Sequence, residues 1–177
     1  MKTAVKYLLF FLFIGAAFAQ EKFQQPILIT SAGQSADVTM AGMLCKKAKL
    51  DAKTINRAKA SDLLGIKTLI IVPGFSSKGL GAAGISREQE MDRVKEVIEA
   101  AQKQKINILM LHIGGKPRRG AQSDDFNKLA AEVSKEMIVV KQGDEDQFFS
   151  KIAEQKKIKI ELVDKIAEAL KPLTDAF

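Results

Sequence analysis

The sequence predicts a three-layer α/β sandwich, because apolar strand patterns alternate with amphipathic helical patterns along the chain. Four runs rich in Ile, Leu and Val are continuously apolar, which is typical of strands covered on both faces of a parallel sheet. They are Pro26–Thr30, Thr68–Val72, Ile106–Ile113 and Met137–Val140. With a weaker strand near Lys53–Asn56, the pattern predicts a mostly parallel sheet of about five strands, flavodoxin-like or Rossmann-like.

Helical patterns separate these strands. Ser86–Lys105 begins with Ser-Arg-Glu-Gln, a capping box, and then places apolar side chains at helical spacing. Further helices are expected over Ser35–Ala48, from Ser123 onward, over Asp144–Lys156 and over Leu162–Leu170. Right-handed crossovers between parallel strands place such helices on both faces of the sheet.

The N-terminus has the pattern of an export signal. A short basic start precedes the apolar run Tyr7–Phe18, and Ala17 and Ala19 offer small residues for cleavage before Gln20. A run of about a dozen apolar residues is too short to span a bilayer, and no cysteine follows it to carry a lipid. We therefore expect no stable membrane anchor after cleavage, and a protein that works in the periplasm or outside the cell.

This interpretation divides the chain into a signal peptide, residues 1–19, and a single α/β domain, residues 20–177. The net charge of +7 over 177 residues falls to +5 when Lys2 and Lys6 leave with the signal peptide. The remaining lysines are interspersed with Glu and Asp, and the aromatic residues are mostly phenylalanines in apolar contexts, so no nucleic-acid partner is expected. Because an exported protein meets no ATP or NAD pool, no nucleotide cofactor is expected either.

Cys45 is the only cysteine, so an intrachain disulfide cannot form. It lies beside Met43 and Leu44 on a predicted helix, which favours a buried packing thiol over a reactive one. With His112 as the only histidine, the sequence offers no set of ligands with metal-site spacing, and no metal site is expected.

Loops rich in glycine, serine and basic residues follow the predicted strands, at the edge where open parallel sheets bind ligands. Glycines let backbone amides approach a ligand, and arginine can hold a carboxylate or phosphate with two hydrogen bonds. These loops predict a site for a small anionic or carboxylate ligand. The candidate ligand-binding residues are Ser31, Gly33, Gln34 and Ser35 after the first strand, Gly74, Ser76, Ser77 and Lys78 after the third, and His112, Gly114, Gly115, Arg118 and Arg119 around the end of the fourth.

The loop Pro73–Gly84 is long and has no predicted structure of its own, which is typical of a functional or mobile loop. It is not a P-loop, because no Gly-Lys-Ser or Gly-Lys-Thr occurs in it. We predict that Lys78 from this loop joins Arg118 and Arg119 in a cationic rim over the carboxyl edge of the sheet.

Three functions remain open from the residues. The loops favour a non-catalytic binding module for a small anionic ligand, with no catalytic residue assigned. An interaction or structural protein of the cell envelope is the second alternative, and a hydrolase is the third, although no Gly-x-Ser-x-Gly elbow is present. The hydrolase would use Ser31 or Ser35 as nucleophile, His112 as base and Asp37 or Asp124 as the carboxylate that orients it.

Three segments, Pro26–Asp37, Gly74–Ser86 and Leu111–Asp124, together carry a family resemblance. They resemble a family of bacterial exported domains of unknown function, and the resemblance covers essentially the whole mature chain. It implies an exported α/β domain with no established activity, so no catalytic or binding residue is carried over from it.

Overall fold

The computed structural model describes residues 22–177, and the predicted signal peptide lies outside the described residues. Six strands form one sheet in this part of the chain, and every neighbouring pair is parallel. They are β1 Ile27–Ala32, β2 Ala52–Thr54, β3 Thr68–Pro73, β4 Asn107–His112, β5 Glu136–Val140 and β6 Lys159–Val163. Their order across the sheet is β2-β1-β3-β4-β5-β6.

Helices cover both faces of the sheet. The α-helices are α1 Asp37–Lys47, α2 Ser77–Ala83, α3 Arg87–Lys103, α4 Asp124–Val133, α5 Phe148–Lys156 and α6 Leu170–Ala176, with short 3-10 turns at Ala60–Leu63, Lys116–Arg118, Lys141–Gly143 and Ile166–Ala169. One hydrophobic core lies between the sheet and α1 and α6, and the other lies between the sheet and α3, α4 and α5. The α/β sandwich with a parallel sheet is therefore confirmed.

The central strands are buried on both faces, as continuous apolar runs require. Within each strand successive side chains point to opposite cores. In β1, Ile27 and Ile29 face α1 and α6, whereas Leu28 and Ala32 face α3, α4 and α5. This alternation decides which polar side chains at the strand ends can meet.

Two segments differ in type from the prediction, and the helix expected over Asp144–Lys156 begins later, at Phe148. The helix expected over Leu162–Leu170 was wrong at its start, because Lys159–Val163 is the sixth strand and pairs with β5. As an edge strand it is only partly buried, and its apolar residues Ile160, Leu162 and Val163 merge with those of the next helix in the sequence. The loop expected over Pro73–Gly84 contains α2, which Ser76 caps by accepting a hydrogen bond from the Gly79 amide at 3.1 Å.

The strand order reverses between β1 and β3. From β1 the chain runs outward to β2 and then returns across β1 to β3 and beyond. The helix after β1 therefore packs on one face, while α3, which follows β3 and α2, packs on the other. The loops after β1 and β3 diverge at this point, which is where doubly wound sheets open a crevice.

Cys45 is buried between α1 and the sheet, in agreement with a packing thiol. Burial raises the pKa of this thiol to about 11, which keeps it protonated at neutral pH. Within residues 22–177, no helix combines the length and apolar character that a membrane crossing requires.

Candidate functional site

A buried ion pair supports the loop that follows β1. The Glu90 carboxylate, on α3, is fully buried and accepts two hydrogen bonds from Arg93, at 2.7 and 2.8 Å. The same carboxylate accepts from the Gly33 amide at 3.0 Å and from the Gln34 side-chain amide at 2.9 Å. The first two residues of the loop are therefore anchored to a helix that lies more than fifty residues further along the chain.

Arg93 extends this anchor to the backbone. Its guanidinium donates to the carbonyl of Ser31 at 2.5 Å and to the carbonyl of Ala58 at 2.8 Å. The end of β1 and the segment after β2 are thus tied to the same cation. Sequence reasoning missed this pair, although Glu90 lies four residues before Val94 on the apolar stripe of α3, a position where an unpaired charge would be costly.

Two glycines allow the β1 loop to touch the β3 loop and α2. Gly33 has a φ of 103°, and a Cβ built there would lie 2.6 Å from the carbonyl oxygen of Gly74. A Cβ on Gly79 of α2 would lie 2.0 Å from the carbonyl oxygen of Gln34. These contacts hold α2 against the loop and leave no room for larger residues.

Beside this contact lies an open cleft of about 540 Å³, here called the switch-point cleft because it lies where the strand order reverses. Three loops form it: the one after β1, the one after β2, and the β3 loop with α2. Its lining residues in the described chain include no carboxylate. They are Gln34, Ser35, Ala36, Thr39, Asn56, Arg57, Ser76, Lys78, Gly79, Ala82 and Ala83.

Two cations give the switch-point cleft its charge. Lys78 and Arg57 are both exposed, and Arg57 donates one hydrogen bond, to the carbonyl of Ala83 at 3.1 Å. Neither forms an ion pair with any residue in the part of the chain that the structure describes. Asp37 and Glu90, which contact the cleft residues Ser35 and Gln34, are each bound by another arginine. The cleft is therefore a site of uncompensated positive charge.

Arg118 lies at the same edge but is neutralised. Its guanidinium donates to Asp37 at 3.0 Å and to the carbonyl of Phe75 at 3.2 Å. The aliphatic stem of Arg118 packs on Gly74 and Gly114. A Cβ built on Gly74 would lie 2.9 Å from this stem, and one built on Gly114 would lie 2.2 Å from it. The two glycines thus make room for an arginine and, in this arrangement, do not face a ligand.

Arg119 points in a different direction, toward α4 and α5. Its side chain is 12% exposed and forms ion pairs with Asp124 and Asp146, each at 2.8 Å. The guanidinium also lies 4.3 Å from the ring centre of Phe148 and lowers the pKa of Asp146 to about 2 through their hydrogen bond. The cationic rim predicted from Lys78, Arg118 and Arg119 is therefore corrected: of these three side chains only Lys78 has an unpaired charge at the cleft, because aspartates are bound to both arginines.

His112, at the end of β4, is fully buried and stacks on Phe149 with ring centres 4.6 Å apart. Its Nε2 donates to the carbonyl of Arg118 at 3.3 Å, which leaves Nδ1 as an acceptor without a partner among the described residues. Burial lowers the pKa of this imidazole to about 4. His112 is therefore neutral at pH 7 and faces the core on the α5 side.

The residues proposed for a hydrolase do not meet in this structure. Ser31 faces the α1 and α6 core, so it lies on the opposite face of the sheet from His112, and its buried hydroxyl has no partner within residues 22–177. Ser35 donates instead to Asp37, at 2.6 Å. Neither serine hydrogen-bonds the imidazole, and Asp124 is bound by Arg119.

The structure sorts the predicted ligand-binding residues into three groups. Gln34, Ser35, Ser76 and Lys78 line the switch-point cleft, and Ser77 begins α2 as an exposed residue beside it. Gly33, Gly74, Gly114 and Arg118 form the packed base of this edge. The remaining four lie outside the cleft, namely Ser31, His112, Gly115 and Arg119, and Gly115 packs against Gln142.

Sequence reasoning missed the contribution of the loop after β2. Asn56 and Arg57 line the cleft because β2 lies next to β1 and its carboxyl end opens onto the same edge. The sequence contained a signal for these two residues, since a polar and a basic residue directly follow the weak strand pattern. No group of three or more His, Cys, Asp or Glu side chains within residues 22–177 is arranged to hold a metal ion.

A family model described as "Domain of unknown function (DUF6305)" matches residues 24–177. This confirms the predicted resemblance to a family of unknown function, whereas export and a bacterial source stay predictions. The sequence matches none of the curated proteins.

Two solved structures illustrate what the chain is similar to. AlinE4, described as a SGNH-hydrolase family esterase, is 14% identical, with 87% of this chain and 83% of that chain covered and a TM-score of 0.30. A GDSL-like lipase (BT0569) from Bacteroides thetaiotaomicron VPI-5482 is 11% identical, with 77% and 66% covered and a TM-score of 0.35. Likeness at this level does not indicate a shared activity.

The Glu90–Arg93 pair should be essential for stability. We expect Glu90→Gln to lower the free energy of unfolding by about 3 kcal/mol, because it leaves the largely buried Arg93 cation without its counter-charge. Urea unfolding followed by circular dichroism measures this, since the chain has no tryptophan. Glu99→Gln, an exposed position on the same helix, is the control and should change stability by less than about 0.5 kcal/mol. Equal effects of the two substitutions would contradict the role given to the pair.

His112 should make stability fall in mild acid. Its pKa is about 4 when folded, against an ordinary value of 6.5, so the unfolded chain takes up the proton first as pH falls. The stabilisation is complete above about pH 6.5 and decreases by about 3 kcal/mol as the pH reaches 4. Unfolding curves at several pH values should therefore show a shallower pH dependence for His112→Gln than for the unmodified protein. Parallel curves for the two proteins would show that the imidazole does not titrate in this range.

Proposed function

The chain belongs to this family of unknown function, and we propose that its switch-point cleft binds a small anionic or carboxylate ligand without transforming it. One observation carries the proposal: Lys78 and Arg57 line a cleft at the reversal of strand order, and no carboxylate lines it with them. An anion entering this cleft would gain two counter-charges and meet no acidic side chain on its walls.

The two cations suit different parts of such a ligand. Lys78 offers a compact charge on a flexible stem, whereas Arg57 offers a planar set of donors of which one nitrogen contacts the carbonyl of Ala83. Ser76 uses its oxygen to cap α2, so its hydroxyl hydrogen is available to a ligand oxygen. Together these groups match a carboxylate or phosphate held by charge-assisted hydrogen bonds.

The proposal does not include catalysis, because the groups that the predicted hydrolase would use are engaged elsewhere. His112 is buried and neutral, and its Nε2 is bound to a backbone carbonyl. Ser35 donates to Asp37, and that carboxylate is bound by Arg118. We place this binding activity outside the cytoplasm on the pattern of the N-terminal leader alone. The alternative occupant of the switch-point cleft is an acidic segment of an envelope protein.

Ligand binding should depend on the two unpaired cations. We expect Lys78→Gln and Arg57→Gln each to weaken binding by about tenfold to a hundredfold, because each removes a charge-assisted hydrogen bond of about 1.5–3 kcal/mol. Amide chemical-shift titrations with phosphate, acetate and small dicarboxylates measure this, with Gln34 and Gly79 as reporters. Lys128→Gln, an exposed lysine on α4, is the charge-matched control. The proposal fails if none of these anions shifts the reporters, or if the cleft variants bind as the control does.

The shape of the cleft should depend on Gly79 and not on Gly81. A Cβ at Gly79 would meet the carbonyl oxygen of Gln34 at 2.0 Å, whereas a Cβ at Gly81 has nothing within 4 Å, and both residues lie in α2. We expect Gly79→Ala to displace α2 and weaken binding, and Gly81→Ala to preserve binding and stabilise the helix by about 0.5–1 kcal/mol. Thermal unfolding and the same titrations compare the two. Identical behaviour of both variants would contradict the described contact.

A further inference from the structure

The edge of the sheet opposite the switch-point cleft carries an ordered set of lysines. Each of the six segments that enter a strand contains one lysine in the described chain. These are Lys22 before β1, Lys49 before β2, Lys67 before β3, Lys105 before β4, Lys135 before β5 and Lys157 before β6. Because all six strands are parallel, these segments lie along one edge, here called the lysine edge.

Part of this charge is opposed, because Asp175 of α6 lies close to Lys22, whose ammonium donates to its backbone carbonyl. Within the same segments, 22–26, 48–51, 64–67, 104–106, 134–135 and 157–158, Asp51 is the one carboxylate. Lys67, Lys105 and Lys157 are exposed and form no ion pair with any of the described residues. The final turns of the preceding helices add further basic residues, namely Lys46, Lys47, Lys103 and Lys156.

Three of these lysines occupy backbone positions that favour other residues. Lys49, Lys105 and Lys157 follow α1, α3 and α5 with φ values of 57°, 56° and 57°. After a helix this left-handed conformation is usually adopted by glycine, or sometimes by asparagine. A side chain with a Cβ is strained there. Gln34 and Gln147 also have a positive φ elsewhere in the described chain, but the three such residues at this edge are all lysines, which points to a use for the charge.

An exposed apolar residue lies on the same edge. Leu64, in the segment entering β3, is 89% exposed and is separated from Lys67 by only Gly65 and Ile66. An exposed leucine on the same edge as lysines is typical of surfaces that insert an apolar side chain between lipid headgroups. A soluble polyanion would use the lysines but would gain nothing from this leucine.

We propose that the lysine edge binds reversibly to a bilayer surface that contains anionic phospholipids. Six strands at about 4.8 Å spacing spread these segments over roughly 24 Å, wide enough to contact several headgroups at once. Each lysine near such a surface contributes about fivefold to the affinity, and Leu64 adds an apolar contact. This orientation turns the switch-point cleft away from the membrane, so the site for the small ligand stays accessible.

Co-sedimentation of the described domain with vesicles tests the proposal. Phosphatidylcholine vesicles with phosphatidylglycerol should bind it, vesicles of phosphatidylcholine alone should not, and added salt should weaken binding. The triple variant Lys49→Asn, Lys105→Asn, Lys157→Asn should lose on the order of a hundredfold in affinity. It should still fold, because asparagine tolerates the left-handed conformation.

A matched variant separates the lysine edge from net charge. Lys95→Gln, Lys128→Gln and Lys151→Gln together remove the same charge from exposed helix positions elsewhere, and this protein should bind the anionic vesicles almost unchanged. Leu64→Ser should weaken vesicle binding while leaving binding to a soluble polyanion such as heparin unaltered. The proposal is overturned if the two triple variants lose equal affinity, or if the protein does not bind anionic vesicles. It is also overturned, in favour of a soluble acidic polymer, if Leu64→Ser does not change vesicle binding.

Discussion

The carboxyl edge of this sheet depends on one buried ion pair. Charges taken out of water are costly, and the Glu90–Arg93 pair is tolerated because both partners are richly hydrogen-bonded. The carboxylate accepts from the Gly33 amide and the Gln34 side chain as well as from arginine, and the guanidinium also donates to two backbone carbonyls. Because these contacts hold the β1 loop in place, the loop meets α2 along one side and leaves the switch-point cleft open on the other.

The same rule, that charges inside the fold are paired, decides which cations remain unpaired at the cleft. Arg118 is taken by Asp37, and Arg119 by Asp124 and Asp146, so these arginines lock loops to one another. Lys78 and Arg57 have no such acidic partner in the described part of the chain. The positive charge of the cleft is therefore what the fold leaves unpaired, and it is far smaller than the number of basic residues in the loops suggests.

The parallel arrangement of the strands also gives the two edges of the sheet, where strands begin and where they end, different residue compositions. All loops that leave strands gather at one edge, where glycines and hydroxyls surround the cleft, and all segments that enter strands gather at the other, where each carries a lysine. In the sequence these lysines look like scattered, solvated charges. Only the common direction of the six strands makes them one surface.

The sequence by itself determined the fold class and the edge that holds the cleft. Long apolar runs such as Thr68–Val72 can only be buried on both faces, and the Ser86–Gln89 capping box formed as expected at the start of α3. The edge strand β6 was not predictable in the same way, because a strand covered on fewer sides has a weaker pattern. The tertiary structure alone decided that Ser31 and His112 face opposite cores, and that Arg118 meets an aspartate 81 residues away. Apolar patterns express local burial, whereas pairing between charges depends on strand order and register, which bring together residues distant along the chain.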